Sequence, residues 1–167
     1  MLRFDRSKDQ IGSGAFAHVF LIRDSGHALK VFITSPASSD MSDGKRRRVF
    51  ESEIEAYKLA QADPELSKMI PHFYGRRVVE SVIETPAERD ISANYLQDCC
   101  YEMDDAGRGW TKANTAGQYW SRVEECRSIF RSRGIMHLND CSFRIREDGS
   151  IVFIDFGIAD VHGDGTL

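Results

Sequence analysis

The sequence predicts an α+β fold that begins with an antiparallel sheet. Three observations carry this. Residues 9–33 alternate apolar and polar on both sides of a glycine-rich break, which is the two-residue period of half-buried strands. Residues 45–62 and 115–133 repeat their apolar positions at helical spacing. The stretch from 143 to 154 returns to short apolar runs, separated by Asp148-Gly149.

Each element follows in order. Strands are expected over Asp9–Ser13, Ala17–Asp24 and His27–Ile33, with Ser25-Gly26 as the turn between the last two. Thr34–Gly44, rich in Ser, Asp and Pro, reads as a loop. Lys45–Ala62 reads as a helix with Val49, Phe50, Glu53, Ile54 and Tyr57 on one face, stopped by Asp63-Pro64. His72–Ile83 reads as one or two strands, Glu84–Asp98 as a polar, irregular surface excursion, and Cys99–Met103 as a short strand that runs into a turn at Asp104–Gly107. A second helix is expected over Thr115–Arg133, with Trp120, Val123, Arg127 and Phe130 on one side and Gly134 as its C′ stop. Ile135–His137, Phe143–Arg146 and Ser150–Ile154 complete the list as short strands. There is no internal repeat and no low-complexity tract.

The bulk properties narrow the function. A chain of 167 residues, 41% hydrophobic and 29% charged, suits one globular domain or two small lobes around one cleft. A net charge of -4 gives no general reason to expect nucleic acid or an anionic membrane as partner. No apolar run approaches the roughly 20 residues that cross a bilayer, and Met1–Arg6 lacks the apolar core of a secretory signal, so a cytoplasmic protein is expected. Cys99, Cys100, Cys126 and Cys141 form no CxxC pair and no zinc spacing with histidine; they are expected to be reduced, mostly buried thiols. His162, between Asp160 and Asp164, reads as part of an acidic tail, with a metal contact as the alternative. Lys45-Arg46-Arg47-Arg48 reads as a solvated helix start, with a docking patch for an acidic partner or a phosphate, or a nucleic-acid contact, as the alternatives.

Four segments carry chemistry. Gly12-Ser13-Gly14-Ala15-Phe16-Ala17-His18-Val19 places glycines at a strand-to-strand turn, where backbone N–H groups can approach phosphate oxygens without a Cβ in the way. Ala28-Leu29-Lys30-Val31 places a lysine inside an apolar strand, which calls for a counter-charge or an anionic ligand. Glu53 lies on the apolar stripe of its helix and calls for a cation, for which Lys30 is the natural candidate. Asp155, leaving the apolar run Ile151–Ile154 ahead of Phe156-Gly157, is placed to bind a metal.

Together these segments resemble the protein kinase-like superfamily. Gly12, Gly14 and Val19 match its glycine-rich loop, with Ala17 where a third glycine often stands. Ala28-Leu29-Lys30 matches the strand of the phosphate-binding lysine, and Glu53 matches the helix glutamate that pairs with it. Tyr101-Glu102-Met103 is similar to the hinge that reads the adenine edge, with Tyr101 as gatekeeper, and Asp155-Phe156-Gly157 matches the magnesium motif. The resemblance implies a single domain over 1–167, with an N-terminal lobe of antiparallel sheet plus one helix (1–103, through the hinge) and a minimal, truncated C-terminal lobe (104–167). It implies ATP and Mg2+ as ligands, with Gly12, Gly14, Val19, Ala28, Lys30, Glu53, Glu102 and Met103 at the nucleotide and Asp155 at the metal.

The pattern breaks at the catalytic loop, which in the family reads H-x-D-x-x-x-x-N. His137 fits, but Asn139 stands at the position of the base and Arg144 at that of the magnesium-binding Asn. The stretch from His137 to Gly149 is also shorter than the resemblance implies, and the family's further helices do not follow Gly157. Two functions follow from this: a pseudokinase-like ATP-binding module that acts through a protein partner, or an active phosphotransferase that uses Asp140 as base. An unrelated α/β binding domain is the third possibility.

Overall fold

The computed structural model describes residues 1–35, 41–107, 117–138, 141–146, 148–157, 159 and 161. It is a mixed α+β structure, and the chain divides into two compact units, Met1–Phe50 with Tyr74–Asp105 and Glu51–Phe73 with Ala106–Leu167.

The first unit is built on strands. Its elements begin with β1 (Leu2–Asp5), a single helical turn α1 (Arg6–Asp9), and then β2 (Gln10–Ser13), β3 (Ala17–Ile22) and β4 (His27–Ile33). Helix α2 (Asp43–Ala62) starts in this unit and ends in the second. β5 (Phe73–Arg77), β6 (Val82–Thr85), β7 (Arg89–Asp90) and β8 (Tyr95–Asp104) follow. Five strands form one sheet in the order β2-β3-β4-β8-β5, and three form a second in the order β1-β6-β7. The β3–β4 hairpin turns at Gly26, whose φ of 72° suits glycine and whose N–H donates to the Ile22 carbonyl at 2.8 Å.

The two-residue period of a strand gives the large sheet two unlike faces. Phe20, Leu29, Val31 and Cys100 lie on its back and join Phe4, Val79, Val82, Ile91 and Tyr95 in one core cluster. The rings of Phe4 and Phe20 approach to 4.3 Å between centroids. The small sheet thus covers the back of the large one, and its key pairing is parallel, Leu2 opposite Val82 and Phe4 opposite Glu84.

Three elements differ from the sequence pattern. Glu84–Asp98 is not an irregular excursion: Thr85 closes β6, β7 lies within it, and Tyr95 and Leu96 are buried at the head of β8. β8 therefore spans Tyr95–Asp104 rather than Cys99–Met103, and the polar pair Gln97-Asp98 falls where its pairing with β4 shifts register, between Ile33 opposite Tyr95 and Val31 opposite Cys100. Helix α2 also starts two residues earlier than its apolar stripe suggests. Ser42 acts as the N-cap, its Oγ accepting from Lys45 N–H at 3.3 Å and its carbonyl from Arg46 N–H at 3.0 Å.

The second unit is aromatic at its centre. α3 (Trp120–Ser132) packs Phe130 against Phe153 at 5.1 Å and Phe156 at 5.6 Å. β9 (Ser142–Ile145) pairs antiparallel with β10 (Ile151–Ile154), turning at Gly149 with φ 78°. α3 ends as expected at Gly134, φ 84°: its N–H donates to the Arg131 carbonyl at 3.1 Å and Ile135 N–H to the Phe130 carbonyl at 3.1 Å. These are the two bonds of a Schellman ending. The expected strand at Ile135–His137 is only an isolated bridge at Met136, and His137 turns the chain with φ 57°.

Candidate functional site

The candidate residues of the first unit converge through strand register alone. Gly12 pairs with Val19, Val19 with Lys30, and Lys30 with Tyr101. Ala28, two residues before Lys30, pairs with Met103. Directly opposed residues share a face, so Gly12, Val19, Ala28, Lys30, Tyr101 and Met103 all lie on the front of the five-stranded sheet. Helix α2 covers part of that face, with Phe50 set 5.4 Å from Phe32 and 6.5 Å from Tyr101.

Lys30 is only 7% exposed, and its Nζ lies 5.5 Å from the Phe32 ring centroid and 5.9 Å from that of Tyr101. Both rings present an attractive face to a cation. Glu102 is on the back instead, opposite Leu29. Its carboxylate is taken up by His27 Nδ1 at 2.5 Å and Arg77 Nε at 2.6 Å, so only its backbone is left to meet a ligand on the front.

The glycine-rich loop closes on itself. Gly14 N–H donates to the Ala17 carbonyl at 3.0 Å, and the Phe16 carbonyl accepts from Ile33 N–H at 2.9 Å. The two glycines differ in what they permit. A Cβ on Gly12 would stand 3.3 Å from Val19, tighter than an ordinary contact, whereas one on Gly14 would meet only the Ala17 carbonyl at 3.9 Å. The fold leaves Gly14 room for a side chain, so the bare backbone there serves no packing purpose.

In the second unit Glu53 is fully buried and its Oε1 accepts from Phe156 N–H at 2.9 Å. Ser52 Oγ donates to the Ala159 carbonyl at 2.5 Å. Tyr57, one turn on, sets its ring edge-on to Phe156 at 5.0 Å. The helix thus grips the segment after β10 at three points. Asp155 itself is exposed and has φ 68°, a left-handed conformation that costs a non-glycine residue roughly 1–2 kcal/mol. The grip on Phe156 holds that backbone in place. Sequence reading found Glu53 but missed Ser52, which no periodicity marks.

Asn139 and Asp140, the catalytic-loop candidates, lie outside the described residues. Arg144 lies on β9 opposite Val152, with Nη1 donating to the Phe143 carbonyl at 3.2 Å. All four cysteines are thiols, and burial pushes Cys100 up to about 12. Among the described residues no group of three or more His, Cys, Asp or Glu is arranged to hold a metal ion, and no helix is long and apolar enough to cross a membrane. No protein-family model and no curated protein sequence matches the chain.

Proposed function

We propose that this chain is a protein-kinase-like ATP-binding domain, impaired in phosphoryl transfer, that works through a protein partner. In this reading the first unit is the nucleotide-gripping lobe and the second a small C-terminal lobe that supplies the magnesium aspartate. The observation that carries it is the front face of the five-stranded sheet, where register aligns Gly12, Val19, Ala28, Lys30, Tyr101 and Met103. A glycine-rich turn joins the first two strands of that sheet and the lysine stands on the third, as kinase-type phosphate binding requires. The apolar pair Ala28 and Met103 would flank a base, and the Lys30 ammonium would meet phosphate oxygens.

The residues also suit magnesium. That ion keeps several waters and is commonly held by one or two carboxylates plus substrate phosphates. A single exposed Asp155 fits such a site, where a closed cage of protein ligands does not. When bound, the metal would neutralise charge on the phosphates; the chain's own part is to fix the Asp155 backbone through Glu53 and Phe156.

Impairment rests on two residues. The Asn139 amide cannot take a proton from a hydroxyl, and Arg144, a cation on a paired strand, cannot replace a metal-binding Asn. The test pairs thermal shift with turnover. ATP with magnesium at about 100 times Kd should stabilise the wild type by about 2.7 kcal/mol. Lys30→Met and Asp155→Asn should lose most of that shift, and turnover should stay at background. No stabilisation of the wild type by ATP and magnesium would sink the binding reading. Turnover that Asp140→Ala abolishes, with ATP still bound, would make the chain an active phosphotransferase with Asp140 as base.

A further inference from the structure

Near its start helix α2 carries Lys45-Arg46-Arg47-Arg48, a run that its composition assigns to solvent. Lys45 and Arg48 are exposed, and Arg47 pairs with Asp98 at 2.5 Å. Arg46 departs from the expectation: it is 4% exposed. Its Nη1 donates to the Ala15 carbonyl at 2.8 Å, its Cζ stands 5.7 Å from the Phe16 ring centroid, and its Nε is buried with no acceptor. Among the described residues no carboxylate pairs with it.

A buried guanidinium that no described carboxylate pairs is an expensive feature of a helix start, since desolvating a charge costs several kcal/mol unless it is repaid. Arg46's hydrogen bond and its cation–π contact fall on two consecutive residues, Ala15 and Phe16, at the tip of the glycine-rich loop. That loop is the segment most in need of restraint. Glycine loses more conformational freedom on ordering than any other residue, and Gly12 and Gly14 flank Ser13 just before the tip. A loop ordered in advance spares a ligand that cost, which is how preorganisation raises affinity.

We propose that Arg46 is a positioning residue for the glycine-rich loop: its guanidinium clamps Ala15 and Phe16, so helix α2 sets the loop's conformation before ligand arrives. The ligand side of this rests on the ATP reading above, whereas the clamp is a property of the ligand-free chain. Arg46 touches the loop rather than the phosphates, and its effect on nucleotide is indirect.

Two measurements separate the parts. The first is amide hydrogen exchange over 13–17 in the ligand-free protein, for wild type, Arg46→Met, Arg46→Lys and Phe16→Leu. Loss of one hydrogen bond and one cation–π contact should speed loop exchange at least about tenfold in Arg46→Met, with β4 and β8 unchanged. Phe16→Leu should do so by a smaller factor, and Arg46→Lys should recover part of the loss by keeping the charge without the planar fork. The second measurement is the Kd and dissociation rate of ATP with magnesium, where Arg46→Met should weaken binding about tenfold, mostly through faster release. Where Arg46→Met does not fold, Phe16→Leu carries the same test at a loop residue away from the helix. Unchanged loop exchange in the variants overturns the clamp. Faster loop exchange with unchanged ATP affinity overturns the positioning role. Faster loop exchange in a chain whose wild type binds no ATP keeps the clamp and removes the nucleotide reading instead.

Discussion

Lys30 and Asp155 illustrate how differently the two units hold their candidate chemistry. Lys30 is a buried cation in the middle of a sheet, fixed by register and ringed by Phe32 and Tyr101. Asp155 is an exposed carboxylate beyond the end of a strand, in a left-handed backbone conformation that glycine adopts more readily, with its neighbour Phe156 held by the buried Glu53. In the first unit, ladder pairing brings the residues together, so each is supported by many shared bonds. In the second, three side chains of one helix hold a short segment, and Glu53 alone among them accepts from its backbone amide at Phe156. The first arrangement should tolerate the loss of a single contact, and the second should not.

The largest expected effect tests whether the second unit's aromatic centre is its own core. Phe130→Ala should cost about 3–5 kcal/mol, read from the tryptophan fluorescence transition in urea, since both tryptophans lie in 106–167. If Phe130→Ala leaves that transition where it was, the packing argument for this unit fails. Next comes the grip on Phe156. Glu53→Ala leaves a buried N–H without its acceptor and should cost about 1.5–3 kcal/mol, while Glu53→Gln, which keeps a carbonyl in place, should recover about half. Equal losses in the two variants would mean that charge, not hydrogen bonding, is what the site needs from Glu53.

The glycines give a sharper contrast. Gly134→Ala forces a Cβ into φ 84°, within 3.4 Å of the Val161 carbonyl, and should cost about 1–2 kcal/mol in denaturant melts. Gly14→Ala should leave stability nearly unchanged and weaken only ATP binding. A destabilised Gly14→Ala would show a structural reason for glycine there and weaken the phosphate argument.

The smallest effect concerns pH in the first unit. Burial pushes the Glu102 carboxyl up, but hydrogen bonds from His27 and Arg77 outweigh it and leave the group below its ordinary value. A depressed folded value contributes stability above the unfolded carboxylate range, about 4.3, and that stability is lost as pH falls through the folded value. Glu102→Gln should therefore melt lower at neutral pH and show a flatter acid limb below about pH 4. An acid limb identical to wild type would assign the acid sensitivity to other carboxylates.

Much of this was legible in the residues, and what was not has a physical pattern. His27–Ile33 was expected and found as β4, because an apolar run broken by one lysine and bounded by a turn and a loop has few alternatives. The helix stripe that buried Glu53 was legible for the same local reason. β1 was missed: Leu-Arg-Phe-Asp is too short to show a period, and its partner Val82–Thr85 lies far away in sequence. Tyr95 and Leu96 were hidden because Gln97-Asp98 reads as loop. Arg46 was misjudged because composition says nothing about which face of a helix turn looks inward.

The pairing of β1 with β6 has a consequence for synthesis. Strands β2, β3 and β4 are joined by short turns and can pair as soon as they leave the ribosome. Leu2–Asp5 cannot take its place until Val82–Thr85 has also been made. For that interval Phe20, Leu29 and Val31 form an apolar sheet face with nothing over it, the kind of surface on which nascent chains associate. Slower translation between β4 and β6 would lengthen that exposure.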